Sequence, residues 1–463
     1  MGSDTLVFEN GTDVAVYTPQ TKDGLIIGFH QPDGKFSIVQ ESAAEIAVRS
    51  KSAHYSLSGF EGGKVVVHFT EGGKQRLYLF HYDWNAARLV KQNEFWGFGK
   101  NGLSVEKHML ALVNILYANG WDANPVMRID GSGLLTSEMY VRPLLYLPDS
   151  DNIRLSNREP FRLMLIVSPE KPYHEGADPA GMAVLHCPQA RTLPNPQYKV
   201  SENYGISSRW VEWVREEKKF VAWLEKERPE IIVNGQKLTE GQKKAKIEEM
   251  RASLQEIIFH NHDGNVCELS AENVAIAEKS YGRIYKARFL TPPIEAGVLP
   301  GFTMQIHELI AERLGLEAQR ENFTLERLKH SDLALMTGNA AGGVRIKEVA
   351  ECGWNEVEPG IWVPHGPVQI TAVGNEKGLD IFQKMKQEYE KTLQGRSCLG
   401  KFGVYADEFL SERDIGRIRE ATTEAVNTMK KTGMPLVGSI HEGYQSRLEG
   451  GRQLRYAGFL RIK

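Results

Sequence analysis

A mixed α/β fold, in two domains or in one large body with additions, is predicted for this chain by three observations. Its 463 residues exceed one average domain. Residues 6–80 read as short β segments broken by Gly-rich turns, with few helices. Beyond residue 104, amphipathic helices and apolar strands alternate, the pattern of helices packed against sheets. Apolar residues make up 41% of the chain and charged residues 25%, proportions that support large cores and exclude a wholly disordered polypeptide.

In chain order, the first β segments are Leu25-Ile26-Ile27-Gly28-Phe29 and Val65-Val66-Val67-His68-Phe69. The first strong helix spans 104–119: Ser104 can cap it, Met109, Leu112, Val113 and Leu116 recur at helical spacing, and Gly120 stops it. Strands follow over 138–143 and 162–167. Residues 208–260 are crowded with Lys and Glu, while Trp210, Trp213, Val214, Phe220, Val221, Trp223 and Leu224 supply apolar faces. Two charged helices joined around Asn234-Gly235 are expected there, as a surface insertion. A strand near 273–277, a turn at Thr291-Pro292-Pro293 and a helix after Gly301 resume the β/α pattern; Ile306, Leu309, Ile310 and Leu314 mark that helix's buried face. After about Leu379 two further helical stretches precede a Gly-rich, basic end.

The net charge is −3, from 56 basic and 59 acidic side chains, so no global field recruits nucleic acid or an anionic membrane. Cys187, Cys267, Cys352 and Cys398 are widely separated, which reads as reduced thiols and a cytoplasmic setting. The N-terminus has no basic region followed by an apolar run, and no segment approaches the roughly 18 apolar residues of a membrane helix.

Several motifs fail on inspection. Gly97-Phe98-Gly99-Lys100-Asn101-Gly102 fits a dinucleotide-loop pattern, yet no convincing strand precedes it. The run from Gly395 to Lys401 spells most of a phosphate loop, with Phe402 where a hydroxyl should hold magnesium. His260-Asn261-His262-Asp263 reads as a polar turn rather than a metal cluster, and no metal site is expected. Neither a Gly-x-Ser-x-Gly elbow nor a His-Glu-x-x-His helix is present.

Five ordered segments carry a stronger signal. They are His54-Tyr55 with Phe60-Glu61-Gly62; Leu79-Phe80 with Asn85 and Arg88-Leu89; Tyr140-Val141-Arg142-Pro143; Lys199 with Asn203-Tyr204-Gly205; and the run from Glu268 to Val344. That run contains Glu272-Asn273, Leu299-Pro300-Gly301-Phe302-Thr303 and Thr337-Gly338-Asn339-Ala340-Ala341. In order and approximate spacing this set resembles the class IV, fold-type-IV pyridoxal-phosphate (PLP) enzymes, most closely the branched-chain amino acid aminotransferases. The resemblance implies an α/β two-domain fold with PLP as cofactor, amino acid and 2-oxo acid substrates, and a homodimer. It divides the chain into an N-terminal extension (1–50), an N-terminal lobe (51–185), a PLP lobe (186–378, with a helical insertion at 209–258) and a C-terminal helical extension (379–463).

Residue roles follow from the resemblance and can be checked against the cofactor's needs. PLP requires a lysine amine for its Schiff base, and Lys199 stands at the family's position. A protonated pyridine nitrogen calls for a buried carboxylate, here Glu268. Tyr204 is implied as partner of the phenolic oxygen. The phosphate wants a fixed cation and backbone donors at a helix start: Arg88 for the first, Gly301, Phe302 and Thr303 for the second, with Gly338 and Asn339 closing the other side. The family usually places Thr where this chain has Asn339. The substrate carboxylate is expected at Ala340 and Ala341 with Tyr55 and Tyr140. Arg142 shares Tyr140's strand face and suits a side-chain carboxylate such as glutamate's.

The function so implied is transamination between a branched-chain or similar hydrophobic L-amino acid and a 2-oxo acid such as 2-oxoglutarate. Asn339, the charged insertion and the C-terminal addition keep two alternatives open: a class IV enzyme of specialised metabolism (transaminase, lyase or cyclase), and a non-catalytic PLP-fold binding protein.

Overall fold

The structure is a computed structural model describing residues 50–97, 103–118, 138–147, 161–169, 181–279 (apart from 192, 194 and 216), 287–413, 415, 416 and 420. It also places short strands at Thr5–Val7, Asp13–Ala15, Ile26–His30, Phe36–Gln40, Arg128–Ile129, Leu135–Thr136 and Gly438–Ser439. Two compact units emerge: Met1–Pro169 with Gly403–Lys463, and Glu170–Phe402. The Gly97–Gly102 motif lies largely outside the described residues.

The first unit is built on a nine-stranded sheet. Its strand Glu138–Tyr146 pairs antiparallel with Gly63–Phe69 on one side and Arg162–Pro169 on the other. Alternation along this strand buries Met139, Val141 and Leu145 and leaves Tyr140 and Arg142 together on the opposite, half-buried face. Helices Tyr82–Phe95 and Val105–Ala118 cover the buried side, where Ala86, Leu89, Met109, Leu112 and Leu116 meet Val65, Leu79, Val141 and Leu165. The second helix matches the predicted one, with Ser104 Oγ accepting from the Lys107 amide at 3.2 Å.

Both ends of the chain depart from the extensions read from sequence. Ile26–His30 pairs with Arg162–Pro169 and then with Phe36–Gln40, so residues before 50 supply strands of the main sheet. At the other edge, Gly403–Tyr405 pairs with Gln75–Phe80. Arg76 locks this edge, donating to both Asp407 oxygens at 2.8 and 2.6 Å beneath the Tyr405 ring. Of the two helical stretches expected after Leu379, one is Glu376–Leu393, capped by Asn375 Oδ1 accepting from the Gly378 amide at 3.0 Å. The other falls mostly outside the described residues. Gly395, left-handed at φ 64°, follows that helix rather than a strand, which removes the phosphate-loop geometry.

In the second unit a ten-stranded mixed sheet includes the long hairpin Gly342–Glu358 and Ile361–Ala372. The charged insertion is part of this sheet and its core, not a surface appendage. Helices Lys219–Glu227 and Glu240–Ser253 form as expected, but Asn234-Gly235 turns a β-hairpin between them, from Ile231–Val233 to Gln236–Lys237. Both turn residues are left-handed, at φ 49° and 81°, which Asn and Gly tolerate. Ile231–Val233 pairs in parallel with the long hairpin, and Leu254–Ile258 with Met182–His186. Trp210, Phe220, Leu224 and Met250 are buried in one cluster, and Trp354 of the hairpin crosses Trp210 and Trp213 edge-on at 5.1 and 5.0 Å.

Each unit buries a neutral histidine. His81, fully buried with Nδ1 3.1 Å from Asn85 Oδ1, has its pKa pushed down to about 4 by burial, as does His307. The unfolded chain takes up these protons near pH 6.5, the native protein only near 4. The stability each contributes is therefore complete above 6.5 and is lost as pH falls toward 4, at about 1.4 kcal/mol per pH unit. Urea melts from pH 7.5 to 4.5 should show this slope, and His81→Asn should flatten it by about one proton. An unchanged slope would show that His81 is not buried neutral.

Candidate active site

Lys199 stands just before a single 3-10 turn, Ser201–Tyr204, that runs into helix Gly205–Val211. Asn203 fixes this bend: its buried Nδ2 donates to the Asn195 and Tyr198 carbonyls at 3.1 and 2.9 Å. The turn brings Tyr204 back to Lys199, whose Nζ donates to the phenolic oxygen at 2.6 Å. A nucleophilic amine and a phenol thus share one spot.

Glu268 is fully enclosed, at 3% exposure, and its carboxylate has defined partners. Oε2 lies 3.1 Å from Arg191 Nη1, while Oε1 accepts from the Leu299 amide and, at 3.2 Å, from Asn273 Nδ2. Burial raises its pKa; Arg191, the Leu299 amide and Lys199 oppose the rise, and Glu272 adds to it. Arg191, itself 1% exposed, also donates to the Leu269 carbonyl at 2.6 Å. No sequence signal marked Arg191, because an arginine in a Pro-rich linker looks the same whether buried or exposed.

Asn273 links this carboxylate to the next feature by donating to the Leu299 carbonyl at 2.7 Å. Two residues on, Gly301 opens helix Phe302–Arg313 without any side-chain cap. Space requires this glycine: a Cβ there would lie 1.8 Å from Asn273 Oδ1. Gly301→Ala should cost about 1–3 kcal/mol and weaken cofactor binding, read from thermal melts with and without PLP. Equal melts to the parent would refute the steric argument.

Thr303, 2% exposed, donates to Asn339 Oδ1 at 2.6 Å, joining the helix start to the loop 339–341. This three-residue loop connects Leu333–Gly338 to Gly342–Glu358, with Gly338 opposite Gly342 in register, and it carries Ala340 and Ala341. The second unit therefore gathers Lys199, Tyr204, Glu268, Gly301, Phe302, Thr303, Gly338, Asn339, Ala340 and Ala341.

The other four predicted residues lie in the first unit. Arg142 Nη2 donates to the Tyr140 hydroxyl at 2.6 Å and its guanidinium sits 4.8 Å over the Phe60 ring; Tyr55, ending a short helix, is 45% exposed. Arg88 donates to buried Glu61 through Nε at 2.6 Å and Nη2 at 2.8 Å. Asn85 and Gln92, on the same helix face, hold the same carboxylate at 2.9 and 3.2 Å. Glu61 appeared in sequence only as part of a motif; its role as anchor for Arg88 emerges from the fold.

The donor set suits PLP: an amine and phenol together, a fully buried carboxylate, and a helix start at which the N-cap Gly301 makes no side-chain cap hydrogen bond. The family model described as amino-transferase class IV matches residues 240–349, which span Glu268, Gly301, Thr303 and the 339–341 loop. Over these residues the chain matches the class IV aminotransferase family. Members of this family are PLP-dependent transferases. A probable branched-chain-amino-acid aminotransferase of Synechocystis is 23% identical over 307 residues, covering 66% of this chain and 80% of that protein. Among solved structures, the branched-chain aminotransferase of Thermoproteus uzoniensis superposes with a TM-score of 0.56 at 20% identity, over 81% of this chain and 96% of that one. The PLP form of the Thermobaculum terrenum enzyme gives 0.56 at 16% identity, over 83% and 99%. These similarities establish the fold-type-IV architecture.

Among the described residues, no group of three or more His, Cys, Asp or Glu side chains is placed to hold a metal ion, and no helix is long and apolar enough to cross a membrane. The segment His260 to Asp263 is a turn in which Asn261 Oδ1 accepts from the amides of Asp263 and Asn265, each at 3.0 Å.

Proposed function

We propose that this protein transfers an amino group between a branched-chain or similar hydrophobic L-amino acid and a 2-oxo acid such as 2-oxoglutarate, as a cytoplasmic homodimer. The observation that carries the reading is the Lys199–Tyr204 pair, in the same unit as a carboxylate held in full burial by Arg191. When bound, PLP supplies an electron sink for the pair left behind as the substrate's α C–H bond breaks.

The chain's own residues supply the rest. Lys199 Nζ takes up the α-proton and returns it, and the Tyr204 hydroxyl holds that amine in place. Glu268 keeps a fixed negative charge for the cofactor's ring nitrogen. Arg88, with the amides of Phe302 and Thr303 and the side chain of Asn339, serves the phosphate. Gly301 and Gly338 leave the room those contacts need. Tyr55, Tyr140, Arg142, Ala340 and Ala341 orient the substrate's carboxylate groups. Selectivity for hydrophobic side chains is supported by the likeness to proteins named as branched-chain aminotransferases.

A panel of amino donors with 2-oxoglutarate tests this, read as glutamate formed and as cofactor absorbance. Leucine, isoleucine or valine should yield glutamate together with a 2-oxo acid of unchanged carbon skeleton. Absence of glutamate from every hydrophobic donor would overturn the substrate assignment, and a product with a broken skeleton would identify a lyase instead.

A further inference from the structure

The helix start at Phe302 and the loop 339–341 come from separate parts of the chain, so something must hold their spacing. One tie is the Thr303–Asn339 hydrogen bond at 2.6 Å. A second lies behind them. His307, one turn after Thr303, is 1% exposed, and its Nδ1 stands 2.9 Å from the Thr303 carbonyl oxygen. A neutral ring that donates there from Nδ1 turns its Nε2 edge to Gly343, where an added Cβ would lie 2.6 Å from Nε2. The ring's face stacks on Tyr389 of helix Glu376–Leu393, with centroids 4.8 Å apart and planes at 29°. Tyr389 also reaches the loop's exit: a Cβ on Gly342, left-handed at φ 64°, would be 3.3 Å from Tyr389 Cε1. Tyr389 thus stacks on His307 of the helix and closes off the space beside Gly342, which flanks the loop.

We infer that Tyr389 and His307 form a clamp of positioning residues, fixing the first turn of helix Phe302–Arg313 against the loop 339–341 so that both meet the cofactor's phosphate at a set spacing. The inference rests on the reading that these two segments serve the phosphate. It gives helix Glu376–Leu393, which carries none of the predicted site residues, a task at the site. Packing rather than charge does the work: His307 stays neutral, and its stack on Tyr389 resists displacement of either segment.

The test compares the affinity of the full-length, cofactor-stripped protein for PLP and for unphosphorylated pyridoxal. Only PLP reports on the phosphate contacts. Tyr389→Ala and His307→Leu should each weaken PLP binding about tenfold while changing pyridoxal binding less than about twofold; Tyr389→Phe, which keeps the stack, should restore the parent ratio. Thr303→Val serves as reference and should lower the ratio as well. Lower melting temperatures with an unchanged PLP-to-pyridoxal ratio in both clamp variants, alongside a lowered ratio in Thr303→Val, would overturn the clamp and leave the phosphate reading standing. An unchanged ratio in Thr303→Val too would overturn both. His307→Leu, close to histidine in volume, carries the test should Tyr389→Ala fail to fold.

Discussion

Lys199→Ala should lower transamination on the order of 10⁴-fold or more and abolish the visible absorbance of bound cofactor, while leaving the fold intact. The Lys199 side chain is held by the Tyr204 hydroxyl at 2.6 Å on a turn that Asn203 fixes through backbone carbonyls, so its replacement removes an amine and leaves the hydrogen bonds of Asn203 in place. An arginine would keep the charge without the nucleophile. Lys199→Arg is therefore expected to be as inactive as Lys199→Ala. Circular dichroism and absorbance on the same samples check this. Retained turnover in either variant would mean that another amine carries the chemistry.

Glu268→Gln is expected to reduce kcat on the order of 100-fold, since it removes a preorganised charge while keeping the side chain's size. The carboxylate is costly to keep ionised at this depth. Burial pushes its pKa up, and Arg191 at 3.1 Å is the largest influence pulling it back. Arg191→Gln should consequently act in the same direction, by letting the buried Glu268 take up a proton. Because both changes remove the same ionised group, the double variant should be little worse than the poorer single one. Turnover of the three variants decides it; multiplied losses would show that Arg191 serves the site by another route.

Much of the candidate site was legible in the sequence because cofactor chemistry constrains residue type and order. Lys199, Tyr204 and Glu268 could be named before any contact was known, and one short turn joins the first two. What could not be read were partners arriving from elsewhere in the chain. Arg191 meets Glu268 across 77 residues of sequence, and Tyr389 meets His307 across 82. Glu61 waits for Arg88, Asn85 and Gln92 on a helix that no local pattern aims at it.

The insertion shows the same division. Its Lys and Glu residues mark exposed helix faces, and the sequence accordingly suggests a surface addition. Yet Ile231–Val233 and Leu254–Ile258 are strands of the second unit's sheet, and Trp210 and Phe220 lie in its core. Charge patterning describes the side of a helix that meets water and says nothing of what the other side covers.

By itself, the sequence determined the α/β class, the helix over Val105–Ala118, the order of the candidate cofactor residues and the likeness to class IV aminotransferases. Those properties depend on local periodicity, capping and residue chemistry, which survive in one dimension. Only the tertiary structure decided that strands from near both ends of the chain join one sheet, that Arg191 offsets the burial of Glu268, and that Tyr389 lies next to Gly342 at the exit of the loop 339–341. Strand partners and buried ion pairs are set by packing between distant segments, and their free energy exists only once the chain has closed around them.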